Sequence, residues 1–366
     1  MAGYTPLYIS NNKTGLVQGR ENFLLPDDAY PTLENAYVWR ERIKRKQGYQ
    51  LLGRLQRILT TQSVGNISAP GAGTTSTNLF TAMGVLVTEP YAEIVPGSAS
   101  DPIVITIGAP ISQVLTDITG DGILTIAPAG LITSASINYA TGVLSLTFSG
   151  AAGASAATIA MMYYPGLPVM GLRQRELSNI NNEQLVAFDT KYAYFYTSPF
   201  WEEFIPGTTW TGTNYNFFWS TNYWVDSGNN RIFWVTNDSG TTGDAIRYTN
   251  GSAWIDFAPT IDASANKLTQ CLAMLPFRGR LVTFNTLEGQ NLATSVSYSN
   301  RIRWAAIGNP FSVVSAIVTT VNAQAWRDDI RGQGGFLDIP TTEEITAVGF
   351  VRDNVVVYCE RSTWQL

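Results

Sequence analysis

Three pairs of adjacent carboxylates, Glu202-Glu203, Asp328-Asp329 and Glu343-Glu344, are the groups of this chain best suited to acid–base chemistry. Two carboxylates facing each other across a glycosidic bond would suffice for its hydrolysis. Neighbours on a strand point to opposite faces, so no pair can face itself, and a working pair would need members from different strands. Asp117-Ile-Thr-Gly-Asp-Gly122 sets oxygen ligands at alternate positions before a turn glycine, as a calcium loop does. It lacks the later bidentate Glu and reads as an Asp/Gly turn. Gly332-Gln-Gly-Gly335 has neither the Lys nor the strand-to-helix setting of a phosphate loop. Histidine is absent, which removes the commonest general base and every Ser-His-Asp or Cys-His arrangement. Cys271 and Cys359 lie 88 residues apart. That spacing excludes a Cys/His zinc site and a small disulfide scaffold, and points to buried free thiols. The reading is of a protein that is not an enzyme, with no catalytic, cofactor or metal residues.

The strongest concentration of charge is basic. Arg40, Arg42, Lys44, Arg45, Lys46, Arg54 and Arg57 stand against Glu34 and Glu41. Residues 35–40 read as one strand, Arg40-Glu-Arg42 as a tight turn, and Ile43 to Tyr49 as the return strand. Such a hairpin can be a solvated edge whose charges block strand addition. It can also dock on an acidic protein partner, or contact phosphate. Arg40, Arg42, Lys44, Arg45 and Lys46 are taken as the candidate assembly interface.

The elements that position these groups fall into four stretches. Residues 1–32 read as an arm, extended or turning at its prolines. Residues 33–59 form the basic hairpin segment, packing with the repeats. Residues 60–168 read as an inserted small antiparallel β-sandwich. From Ile58 to Leu172 there is no Lys or Arg. Residues 65–77 look like a loop or linker, and strands are expected at Leu79–Thr88, Ile103–Ile107, Ile123–Ala127, Ser136–Tyr139, Val143–Phe148 and Thr158–Tyr163. Asn138-Tyr-Ala-Thr-Gly142 is a hairpin signal between two of them.

Residues 169–366 repeat a phrase. Short apolar strands recur as Gln184–Phe188, Arg231–Val235, Arg280–Phe284 and Asn354–Tyr358. A Trp closes each unit at 201, 254, 304 and 364, in steps of 53, 50 and 60 residues. Tandem antiparallel strands at this period are the signature of β-propeller blades. Thr249-Asn-Gly-Ser-Ala-Trp254 has the outline of the aspartate-box turn of sialidase propellers without its Asp, and reads as a blade turn. The fold class is therefore all-β, with propeller-type repeats that are incomplete here. A propeller closes its ring, so residues or chains beyond Leu366 are expected to complete it. The Trp-rich stretch from Trp210 to Trp234 would suit stacking on sugars, and a carbohydrate-binding or glycan-cleaving propeller of host-surface recognition is the alternative function.

Bulk properties agree with a strand-and-turn protein. Charged residues make up 14% of the 366, against an average near 25%. The formal net charge of −5 argues against a dedicated nucleic-acid binder. No signal peptide and no apolar run long enough for a membrane span are visible.

The order of elements resembles the tail nozzle (muzzle or stabilisation) proteins of short-tailed double-stranded DNA bacteriophages, including crAss-like phages. The carriers are Pro26-Asp-Asp-Ala-Tyr-Pro-Thr-Leu-Glu-Asn-Ala-Tyr-Val-Trp-Arg40 with Arg45-Lys-Gln-Gly-Tyr49, and Phe277-Arg-Gly-Arg-Leu281 with Val296–Trp304 and Ile307-Gly-Asn-Pro-Phe311. Residues Ile137–Leu146 resemble small β-domains of phage tail proteins. The resemblance implies a structural virion protein made in the bacterial cytoplasm and located in the tail. It would form a homo-oligomeric ring, six-fold in symmetry, at the distal end of the tail. It would dock on a neighbouring tail ring or adaptor, and retain or pass DNA in its lumen without sequence-specific binding.

Overall fold

The computed structural model describes residues 51–366 apart from 86–88, 179–182 and 227. Of the first fifty residues it describes only the backbone of residues 15–16, 29–30, 36–39 and 42–45. The chain divides into two compact units, residues 1–52 and 53–366. The first contains a short parallel pair, β1 (Gly15–Leu16) and β2 (Ala29–Tyr30). It also contains an antiparallel hairpin, β3 (Ala36–Trp39) and β4 (Arg42–Arg45).

The second unit is all-β, as its turn-rich, low-charge composition requires. Residues 57–164 build two antiparallel sheets around one core. Strands β5 (Arg57–Ala69), β7 (Glu93–Ile94), β8 (Ile103–Ile107), β9 (Gln113–Asp117), β10 (Thr125–Ala127) and β13 (Ala152–Tyr164) form the larger sheet. The smaller holds β6 (Gly73–Asn78), β11 (Ile132–Asn138) and β12 (Val143–Phe148). Ile105, Leu115, Leu144 and Phe148 fill the space between. Gly142, at φ +67°, closes the β11–β12 turn as its position suggested.

Two expectations fail here. Residues 65–77 are not a linker: most of them belong to β5 and β6. Their Ser and Thr side chains pair across strands, Thr74 with Thr147 at 3.1 Å and Ser76 with Ser145 at 3.3 Å. A polar, small-residue strand looks like a loop until its partner is known. Leu79 does not begin a strand either. Leu79–Ala82 is a turn of helix, α1, capped by the Asn78 side chain, which accepts from the Thr81 amide at 2.9 Å. Leu79 and Phe80 are both fully buried, which adjacent strand residues facing a single core cannot be.

Residues 169–366 form four consecutive meanders, each with strands in chain order. The first holds β14 (Val169–Glu176), β15 (Glu183–Asp189), β16 (Ala193–Thr197) and β17 (Phe200–Glu203). The second holds β18 (Trp219–Val225), β19 (Arg231–Thr236), β20 (Ile246–Thr249) and β21 (Ile255–Phe257). The third holds β22 (Lys267–Phe277), β23 (Arg280–Gly289), β24 (Val296–Trp304) and β25 (Gly335–Asp338). The fourth holds β26 (Ile345–Val351), β27 (Asn354–Cys359) and β28 (Thr363–Gln365).

All four repeated phrases are the second strand of their meander. In the first three meanders the reason is burial on both faces: in β23 every residue from Leu281 to Glu288 is buried, whereas β27 alternates, with Val355, Val357 and Cys359 buried and Tyr358 exposed. A separate core lies between each pair of successive meanders. Polar contacts join their first strands as well. Phe218 N donates to Met170 O at 3.1 Å, and the Asn222 side chain accepts from Glu176 N and donates to Gln174 O. Gly171 permits this approach: a Cβ there would stand 2.8 Å from Phe218 Cβ.

The closing tryptophans are not equivalent to one another. Trp201 is in a fourth strand, Trp254 just precedes one, and Trp304 and Trp364 are in third strands. Their regular spacing arises because residues 305–334 interrupt the third meander between β24 and β25. Among the described residues no helix is long and apolar enough to cross a membrane.

Candidate assembly interface

The basic hairpin exists as a backbone. Its register sets Trp39 opposite Arg42, Tyr37 opposite Lys44, Val38 opposite Ile43 and Ala36 opposite Arg45. Arg40 and Lys46 lie outside the described residues. The structure removes Arg54 and Arg57 from the basic run. Arg54 pairs with Glu93 at 2.6 Å and lies 4.0 Å from the Tyr164 ring. Arg57 pairs with Glu203, with Nε to Oε2 at 2.9 Å and Nη2 to Oε1 at 3.2 Å. Both acids are far away in sequence, so local charge counting could not find them.

Arg57 is the centre of a buried polar joint between the inserted sheets and the first meander. Its Nη1 donates to the Tyr163 hydroxyl at 2.9 Å, and its guanidinium lies 3.7 Å from the Tyr192 ring centre. Burial works against its charge, but the Glu203 hydrogen bonds together with the charge interactions with Tyr163, Glu203 and Tyr192 outweigh that and raise its pKa. Nearby Glu89, 1% exposed, accepts from the Tyr192 hydroxyl at 2.7 Å and from Lys191 Nζ at 3.1 Å. Asp189 accepts from the Lys191 and Tyr192 amides and from the Tyr194 hydroxyl, each at 2.6 Å.

Burial pushes the Asp189 carboxyl up to about 6, against the lowering effect of those three donors. A carboxyl raised in the folded state favours folding below its unfolded pKa and loses that contribution as pH rises through 6. Asp189→Asn should therefore gain stability relative to the parent between pH 4 and pH 7. The gain is at most about 3 kcal/mol, from roughly 1.4 kcal/mol per pKa unit. Urea unfolding of both proteins at pH 4.5 and 7.5 measures it, and a constant difference would refute the assignment.

The members of each carboxylate pair go to different surroundings, by strand alternation for Glu202-Glu203 on β17 and in loop segments for the other two pairs. Glu203 is buried in the joint and Glu202 is not. Asp328 pairs with Arg303 and Asp329 with Arg327. Glu343 accepts from Ser362 N, Ser362 Oγ and Arg361 N, whereas Glu344 accepts from Asn285 Nδ2. Asp117 is fully buried and capped by the Thr119 and Gly120 amides and the Tyr139 hydroxyl. Both cysteines are free and buried. Among the described residues no group of three or more His, Cys, Asp or Glu is placed to hold a metal ion.

Within the Trp210–Trp234 stretch Trp210 and Trp234 are interior, while Tyr215 and Phe217 are exposed. Trp210 packs edge-on against Phe188, Phe218 and Trp254, and Trp234 is fully enclosed. Trp219, half-buried, donates its Nε1 to Met274 O. These three indoles are packing groups, not an open sugar platform.

The sequence reading missed a cleft of about 580 Å³ beside the third meander. Its floor is Arg303, 1% exposed, held by both oxygens of Glu288 at 2.8 and 2.9 Å and by Asp328 at 3.0 Å. Its wall is a stack in which the Arg301 guanidinium lies 3.8 Å from the Tyr298 ring centre and 4.1 Å from that of Phe336. The alternation Arg301-x-Arg303 opposite Phe336-x-Asp338 was the available signal, because alternate residues of paired strands share a face.

Fold and sites together define an all-β protein with an internal series of meanders and a hairpin rich in cations. No known protein-family profile matches the chain, and no curated protein sequence matches it.

Proposed function

We propose that the chain is a structural subunit of a ring at the distal end of a short bacteriophage tail, the nozzle, which retains or passes DNA. One observation carries the structural part of this reading: the face-to-face stacking of meanders continues to an uncharged outer face. On the fourth meander Ala347, Gly349, Val351, Val356 and Tyr358 share that face by register, with Val351 and Tyr358 exposed. Such a face suits another sheet of the same kind, so the meanders read as blades of a propeller ring. Of the acids and indoles suited to catalysis or sugar stacking, all but Glu202 of the three acid pairs are engaged in ion pairs or hydrogen bonds among the described residues, and Trp210 and Trp234 in cores, which favours a scaffold. The tail location, six-fold symmetry and DNA lumen rest on the resemblance of residues 26–49 and 277–311 to nozzle proteins.

In this reading the hairpin docks on a neighbouring tail ring. Charge reversal at Arg42, Lys44, Arg45 and Lys46 together should abolish incorporation into particles while leaving the thermal unfolding of the isolated protein unchanged. Incorporation of the variant at the parent level, measured on purified particles, would refute the docking role.

A further inference from the structure

We infer that the cleft beside the third meander binds a neutral oligosaccharide. This inference is independent of the nozzle reading. The cleft lies within the size range, about 300–1,000 Å³, of sites that take small ligands.

Its walls are preorganised. Every oxygen of Glu288 and each nitrogen of the Arg303 guanidinium has a partner, with Thr286 Oγ1 completing the carboxylate at 2.8 Å. Arg301 is fixed by Glu288 and Asp338 and clamped between two rings. These groups cannot turn to a ligand, but they hold the Phe336 ring rigidly at the mouth. Phe336 is 43% exposed, with one face on Arg301. A rigid, half-open aromatic is the surface on which the apolar face of a pyranose stacks.

Around it stand polar groups without a partner among the described residues: the Tyr298 hydroxyl, the Gln290 amide and the second oxygen of Asp328. They offer both donors and acceptors to the hydroxyls of a polyol. Charge selects against anions. Asp262, Glu288 and Asp328 outnumber Arg301 and Arg303 in the lining, and Asp338 adds a further carboxylate behind Arg301. Both guanidiniums are already neutralised, so phosphate, uronate or sialate would meet a net negative wall.

The test uses the full chain and a panel of neutral trisaccharides of glucose, mannose, galactose and N-acetylglucosamine, with sialyllactose as the anionic probe. Saturation-transfer NMR and calorimetry supply the readouts. At least one neutral sugar should bind, and sialyllactose should bind about tenfold more weakly or not at all. Phe336→Ala and Gln290→Ala, both at exposed positions, should each weaken binding by about tenfold without shifting the unfolding midpoint. No binding by any neutral sugar at ~10 mM, about 2.7 kcal/mol of affinity, would overturn the inference. So would binding that survives both substitutions, or a preference for sialyllactose.

Discussion

Trp234→Ala is expected to lower the stability of the chain by about 3–5 kcal/mol, the usual cost of emptying a buried aromatic site. Trp234 is fully enclosed on β19. Its ring meets Phe257 edge-on at 4.8 Å, stacks on Phe311 at 5.1 Å and tilts against Tyr248 at 5.1 Å. Its Nε1 donates to Tyr223 O at 2.9 Å, so the substitution also strands a carbonyl. Two separate stretches converge on this one ring: the second meander and the 305–334 segment. Neither can close the space alone. A domain is stable by roughly 5–15 kcal/mol in total, so the variant should unfold at much lower urea. Trp364→Ala is the control, since that indole is 37% exposed on β28. Its loss should move the midpoint by no more than about 0.5 kcal/mol, as for other surface changes. Equal effects at the two positions would contradict the packing described.

Arg303→Met should cost about 3–5 kcal/mol for a different reason. The methionine fills much of the volume, so the loss is not a cavity. It is the stranding of Glu288, 6% exposed, whose two oxygens both receive Arg303. Arg301 Nη1 and Thr286 Oγ1 remain, but they cannot neutralise and satisfy it fully. Glu288→Met added to Arg303→Met should recover most of the loss, because a buried ion pair can be replaced by apolar groups at little cost. A double-mutant cycle by urea unfolding gives the coupling. Additive losses would show that the pair is not a unit.

Strand content and the repeat were legible because the second strands carry β-branched and aromatic residues at their buried positions, on both faces in the first three meanders and on one face in the fourth. The ends of Ile103–Ile107 and Val143–Phe148 were legible for a related reason: turn residues flank a clean alternation. The polar strands β5 and β6 were not, since pairing rather than composition makes them strands. Trp spacing suggested equivalent positions that the meanders do not share. The ion-paired sites were hidden by sequence distance. Nothing near Arg57 announces Glu203, and nothing near Arg303 announces Glu288. Residue types nonetheless set the chemistry correctly in one respect. Glu202 and Glu203 separate onto opposite faces of β17, as strand geometry demands, whereas the other two carboxylate pairs lie outside strands.

The register of β5 against β13 has a topological consequence. Arg57 lies opposite Tyr163, and Leu55 bridges Trp201 of β17, so the chain enters and leaves the inserted sheets at neighbouring points beside the first meander. Everything between is a closed excursion on a two-stranded stem, with its own hydrophobic interior. The meanders do not need that excursion to maintain their chain direction. They need only the stem's base, where Arg57 and Tyr163 meet Glu203 and Tyr192. Above that base the molecule has a built-in graft point, at which a different cargo of similar footprint could be carried without redrawing the sheets beneath.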